Sequence, residues 1–92
     1  MVEAITLSKN RQEVISRIRR ITGQLRGIEK MLNEGRRCEE VLTQLSAVRE
    51  ATNRAGVLLI EGELTHCILT LDGEERPEAL KKAMGTLLKF GG

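Results

Sequence analysis

From Arg37 to Leu71 the chain runs without a proline. Within that stretch Leu42, Leu45, Val48, Ala55, Leu59, Ile68 and Leu69 recur at helical spacing, and Leu58, Ile60 and Leu64 widen the apolar surface. A helix over residues 37–71 would be roughly 50 Å long at 1.5 Å per residue. That exceeds what a chain of 92 residues needs to form a globule. Such a helix cannot cover its own apolar side, so it pairs with the first helix in a long antiparallel hairpin, and a second copy of the chain could cover what remains.

The partner helix within the chain is legible. Val14, Ile18, Ile21, Leu25, Ile28 and Leu32 follow steps of four and three, the narrow a/d stripe of a helix packed along another. The spacing predicts a first helix over 8–34, with Ser8 as N-cap and the Asn33-Glu34-Gly35 run as its stop. Gly23 and Gly27 fall inside it, where each costs about 1 kcal/mol against alanine, so close approach of another backbone is the expected reason for them. Asp72-Gly73 predicts a turn. A short third helix over 77–89 follows, with Pro77 in its first position and an inner face of Ala79, Leu80, Ala83, Met84, Leu87 and Leu88. The expectation is one all-α domain spanning 1–92: a three-helix chain built on a long antiparallel hairpin of 8–34 against 37–71.

Two cysteines sit on that long helix. Cys38 and Cys67 are separated by about eight full turns plus 20°, so they share a face. Their separation along the axis is about 44 Å, whereas a disulfide needs Cα atoms about 4.4–6.8 Å apart. They can meet only between chains. If two copies of the helix cross antiparallel at the midpoint, Cys38 of each lies opposite Cys67 of the other, giving two equivalent dithiol sites. The midpoint falls among Ala51, Thr52, Ala55 and Gly56, small residues that permit close approach. The competing reading treats both cysteines as small inert hydrophobes. Glu63, one turn before Cys67, is the natural third member of the site. His66 points about 100° away from Cys67 and reads as a surface residue.

Composition removes other classes. Two cysteines make neither a disulfide framework nor a four-sulfur zinc site. Phe90 as the sole aromatic excludes a base-stacking platform. No apolar run reaches membrane-spanning length, and Met1 to Asn10 lacks a signal-peptide layout, so a cytoplasmic protein without a membrane role is expected. The net charge of +2 conceals an asymmetry. Residues 1–37 carry nine bases against four acids, and residues 38–92 six bases against nine acids. A basic arm on an acidic scaffold suits a negatively charged partner, nucleic acid first and anionic lipid second. A solvated helix face is the plainer alternative.

The run Arg17-Ile-Arg-Arg-Ile-Thr-Gly-Gln-Leu-Arg-Gly-Ile28, then Cys38, then Val41-Leu-Thr-Gln-Leu-Ser-Ala-Val-Arg49, then Cys67, resembles the copper-sensitive operon repressor (CsoR) family over residues 10–90. The resemblance implies a four-helix-bundle dimer that pairs into a homotetramer and binds operator double-stranded DNA without a helix-turn-helix. It implies release of that DNA when an inducer reacts at the inter-subunit site. A broad basic surface is then the DNA-binding element, here Arg17, Arg19, Arg20 and Arg26 on the first helix and Arg49 on the second.

Copper-sensing members resemble a Cys…His-x-x-x-Cys pattern, and Glu63 stands where that histidine would be. Copper(I) is soft and prefers thiolate and imidazole. Keeping both cysteines without the histidine resembles the persulfide-sensing CstR-like branch, in which the thiols of two subunits become joined by sulfur chains. The expectation is a repressor, not an enzyme. Its inducer is a persulfide or polysulfide acting on Cys38 and Cys67, with no cofactor and Glu63 beside the thiols. The alternative is a copper(I) sensor using Cys38 and Cys67, with Glu63 or His66 as a further ligand. Two alternatives from other classes are a thiol-dependent enzyme such as a small sulfur carrier, which would lack an aligned histidine base and a CxxC pair, and a helical adaptor with inert cysteines, unrelated to DNA.

Overall fold

A computed structural model describes the backbone of residues 2–70, 73 and 75–91, and the side chains of residues 9–68 and 75–90. The described residues form three helices and no strand: α1 (Val2–Asn33), α2 (Cys38–Thr70) and α3 (Glu75–Gly91). The side chains of Ser8 and Leu69, together with Leu71, Asp72 and Gly92, lie outside the described residues. None of the helices is long and apolar enough to cross a membrane.

α1 starts at Val2 and carries Ser8 inside it, rather than beginning there. Nothing between Val2 and Leu7 breaks a helix, and no proline or glycine intervenes. The other end stops where the sequence places it. Gly35 adopts φ 70°, its N–H donates to the Leu32 carbonyl at 3.2 Å, and the Arg36 N–H donates to the Met31 carbonyl at 2.9 Å. This pair of bonds is the Schellman arrangement, which closes a helix through a left-handed residue. α2 is continuous through Gly56 and Gly62. Gly73, at φ 55°, lies in the connection to α3. α3 begins two residues ahead of Pro77, which stays within the first turn, where its missing N–H leaves no hydrogen bond unmade.

α1 and α2 run antiparallel. The Asn10 side-chain amide donates to the Leu58 carbonyl at 2.8 Å, and Arg11 pairs with Glu63, so the start of α1 meets the far half of α2. The a/d stripe of α1 divides between two environments. Ile21 and Ile28 are buried and Val14 half-buried, whereas Ile18, Leu25 and Leu32 are 46%, 46% and 62% exposed. On α2 the matching seven-residue series is Val41, Val48, Ala55 and Gly62, buried except for the half-buried Val48. One half of the stripe thus packs within the hairpin and the other half faces outward.

The glycines that serve close packing are not those expected. A methyl group at Gly23 or Gly27 would meet nothing within 4 Å in this chain. At Gly56 it would collide with the Phe90 ring, and at Gly62 it would fall 2.8–3.1 Å from the Asn10 side chain. Gly56, expected to admit a second copy at the α2 midpoint, instead receives Phe90 from α3 of its own chain. Of the inner face expected for α3, Ala79, Leu80, Ala83 and Leu87 are half-buried, but Met84 and Leu88 are exposed, because among the described residues α3 packs on α2 and not on α1. The three helices lie side by side in a slab of 58 × 27 × 12 Å, about one helix thick. Its radius of gyration is 17.4 Å, against about 12 Å for a compact domain of this length.

Candidate functional site

Cys38 is the first residue of α2, at a helix end whose unpaired N–H groups favour negative charge. The Glu40 and Val41 N–H groups both donate to the Arg37 carbonyl, at 3.1 and 3.2 Å, so Arg37 takes the capping position. The charges around Cys38 are paired off: Arg36 with Glu40 at 2.5 Å, and Arg37 with Glu39 at 3.5 Å. Cys38 itself is exposed. Cys67, near the far end of the same helix, is 8% exposed. Because α2 is unbroken between them, both thiols lie on one line along the helix about 44 Å apart, and both are free.

α3 makes the difference between the two thiols. It covers the later half of α2 and leaves the Cys38 half bare. Between α2 and α3 lies a cavity of about 310 Å³, lined by Ile60, Glu63, Cys67, Ala79, Lys82, Ala83 and Thr86. Glu63 therefore joins Cys67 as its spacing predicts. It is also engaged from the other side, since an Arg11 guanidinium nitrogen lies 2.5 Å from its carboxylate. His66 does not line this cavity, and it is half-buried rather than on the surface. Four residues beyond Gly62, it lies on the side of α2 that faces α1. Within one chain, no three His, Cys, Asp or Glu side chains among the described residues are placed to hold a metal ion.

A second feature lies along the α1–α2 hairpin. Arg17, Arg20, Ile21, Gln24, Ala51 and Arg54 line one groove, and Arg17 and Arg54 continue into the next beside Asn53, Leu58 and Glu61. Asn53 also borders the cleft that holds Arg49. Arg17 is half-buried. One of its terminal nitrogens is 3.4 Å from Glu13, while its buried Nε has no hydrogen-bond partner, so the chain does not fully satisfy this guanidinium. Arg54 pairs with Glu50 at 2.6 Å.

Three of the five expected arginines thus fall in or beside this groove. Arg19 and Arg26 do not, because on α1 they lie about 200° and 180° round the helix from Arg17. Sequence reasoning misses Arg54, which belongs to neither motif. The signal available for it is its position one turn past Glu50, beside the small Ala51 and Ala55 that let α1 come near.

Comparison with known proteins agrees on the kind of chain this is. A family model described as a metal-sensitive transcriptional repressor matches residues 10–89. The chain is 33% identical over 87 residues to the copper-sensing transcriptional repressor CsoR of Bacillus subtilis, covering 90% of this chain and 83% of that protein. It is 35% identical over 79 residues to the copper-sensing transcriptional repressor RicR of Mycobacterium tuberculosis, covering 86% and 82%. Among solved structures it is similar to the nickel-responsive transcriptional regulator InrS, with a TM-score of 0.71 at 34% identity over 83% of this chain and 90% of that one.

Proposed function

Since the chain belongs to the metal-sensitive transcriptional repressor family, whose members are repressors and not enzymes, we propose that it binds operator DNA in the cytoplasm and releases it when a persulfide or polysulfide joins Cys38 to Cys67 of the partner subunit. The observation that carries this reading is the pair of free thiols on one line of a continuous helix, too far apart to meet within a chain. Two copies paired antiparallel, with the bare Cys38 half of each α2 beside the α3-covered half of the other, would bring each Cys38 toward the other's Cys67, and a homodimer that pairs again into a tetramer would display several basic grooves to one duplex.

The chemistry needs no metal. The Cys67 thiolate attacks the outer sulfur of a persulfide RSSH, the S–S bond breaks, RS⁻ leaves, and Cys67 carries –SSH. The Cys38 thiolate of the partner subunit then attacks the inner sulfur, forming the inter-subunit disulfide and expelling hydrosulfide. The two thiols are oxidised and the sulfane sulfur is reduced. Where a second persulfide has first converted Cys38 to its own persulfide, that Cys38–SS⁻ attacks the inner sulfur of Cys67–SSH instead, the S–S bond breaks, hydrosulfide leaves, and the bridge is a trisulfide. Linking the two thiols fixes the spacing of two long helices, and that bias reaches the arginine grooves through the rigid hairpin.

The names of the relatives favour a second reading, copper(I) sensing. Cys38 and Cys67 would supply two soft thiolates to such an ion, which suits it. The third donor fits poorly: Glu63 is a hard carboxylate already paired with Arg11. Intact-mass measurement after separate exposure to a persulfide and to copper(I) decides between them. The persulfide reading expects a covalent dimer, joined by a disulfide or by a longer bridge carrying extra sulfur masses, with loss of DNA binding. One copper per subunit displacing DNA, with no sulfur adduct, overturns it. Cys38→Ser is expected to keep operator affinity and to stop responding to persulfide.

A further inference from the structure

We propose that the cavity between α2 and α3 is the seat of a small organic persulfide bearing a carboxylate, with Lys82 holding the carboxylate and Cys67 receiving the sulfur. The inference rests on the persulfide reading and names which persulfides the site takes.

Three observations carry it. First, the cavity has room because α3 presents Ala79 and Ala83, one turn apart, where larger residues would close the space. Its volume of about 310 Å³ lies at the lower end of small-ligand sites, about 300–1,000 Å³, and far exceeds the roughly 30 Å³ of one water. Inorganic polysulfide does not require apolar walls, whereas a short carbon chain does, and Ile60, Ala79 and Ala83 supply them. Second, the charge lining the cavity is unbalanced. The Glu63 carboxylate is answered from outside by Arg11 at 2.5 Å, whereas the Lys82 ammonium has no ion-pair partner among the described residues. Lys82, exposed at the rim, therefore gives the cavity one positive charge that no described residue pairs with, the complement of a monocarboxylate. Third, the reacting atom is inside: Cys67 is 8% exposed and lines this cavity, so a sulfur donor entering it is brought to the thiol.

The transfer on the seated molecule is the first step given above. The Cys67 thiolate takes the outer sulfur, the S–S bond breaks, and the carboxylate-bearing thiolate leaves. No further reactant is needed.

The test follows sulfur addition to Cys67 by quenched intact-mass kinetics in the reduced full chain carrying Cys38→Ser, which isolates the first transfer. Three donors are compared: the persulfide of 3-mercaptopropionate, the persulfide of 2-mercaptoethanol, and sodium tetrasulfide. The carboxylate-bearing donor is expected to react about fivefold faster than the neutral one, the size of one partly exposed ion pair. Lys82→Met is expected to remove that preference and leave the neutral donor's rate unchanged. Ala83→Leu, which fills the cavity, is expected to slow both organic donors at least tenfold and tetrasulfide much less. Equal rates for the two organic donors in the parent chain, or a preference that survives Lys82→Met, overturns the seat while leaving persulfide sensing intact. No sulfur added to Cys67 by any donor overturns the seat, and the sensing reading falls with it only if the parent chain, with Cys38 present, also takes up no sulfur.

Discussion

At the scale of single residues, position round a helix decides which side chains act together. Arg17, Arg20 and Arg54 share a groove, whereas Arg19 and Arg26 project from the opposite side of α1. Substituting Arg17, Arg20 or Arg54 by alanine is expected to weaken operator binding and lower its salt slope by about one unit for each phosphate no longer neutralised. Arg19→Ala and Arg26→Ala should leave the slope unchanged when binding is titrated against salt by fluorescence anisotropy. Gly56 is decided by a single ring. An added methyl there occupies the place of Phe90, so Gly56→Ala must expel the ring and lower the thermal midpoint. In Phe90→Ala the ring is already gone, and adding Gly56→Ala should then cost little. Calorimetry on the two single variants and the double variant reads that coupling directly.

At the scale of elements, helix ends matter as much as helix faces. Gly35 holds φ 70° in the link between α1 and α2, where a Cβ is sterically disfavoured although nothing stands near it. Gly35→Ala is expected to destabilise by about 1–2 kcal/mol in denaturant titration, a purely backbone effect. This stop, the two long helices and the shared line of Cys38 and Cys67 are all legible in the sequence, because each follows from local residue type or from a helical period. The division of the α1 stripe is not. Ile21 and Leu25 are equivalent apolar positions by periodicity, and only the placement of α2 makes one 7% and the other 46% exposed. The same holds for the glycines. Gly23 and Gly27 stand within a motif, while the packing role falls to Gly56 and Gly62, whose partners Phe90 and Asn10 are distant in sequence. The Glu63–Arg11 pair is hidden for the same reason, since it spans the whole hairpin.

At the scale of the whole molecule, exposed surface is the governing quantity. The chain exposes 7054 Å², where a folded monomer of 10.3 kDa exposes about 5,400 Å². The excess is roughly twice the 800 Å² that one partner contributes to a standard interface. A surplus of that size leaves room for contacts with partner molecules. Ile18, Leu25 and Leu32 on α1 and Leu42 and Leu45 on α2 are the exposed apolar residues available for them. Leu25→Glu is expected to shift sedimentation toward smaller species and to lower thermal stability together. The parent's melting temperature should rise with protein concentration.

A slab one helix thick has consequences beyond shape. A second molecule that completes its interior would make folding and assembly one equilibrium governed by mass action. Dilution alone then loosens the chain, and degradation removes it fastest when it is scarce. The amount of protein present would then be an input in its own right, read by the packing of the helices themselves.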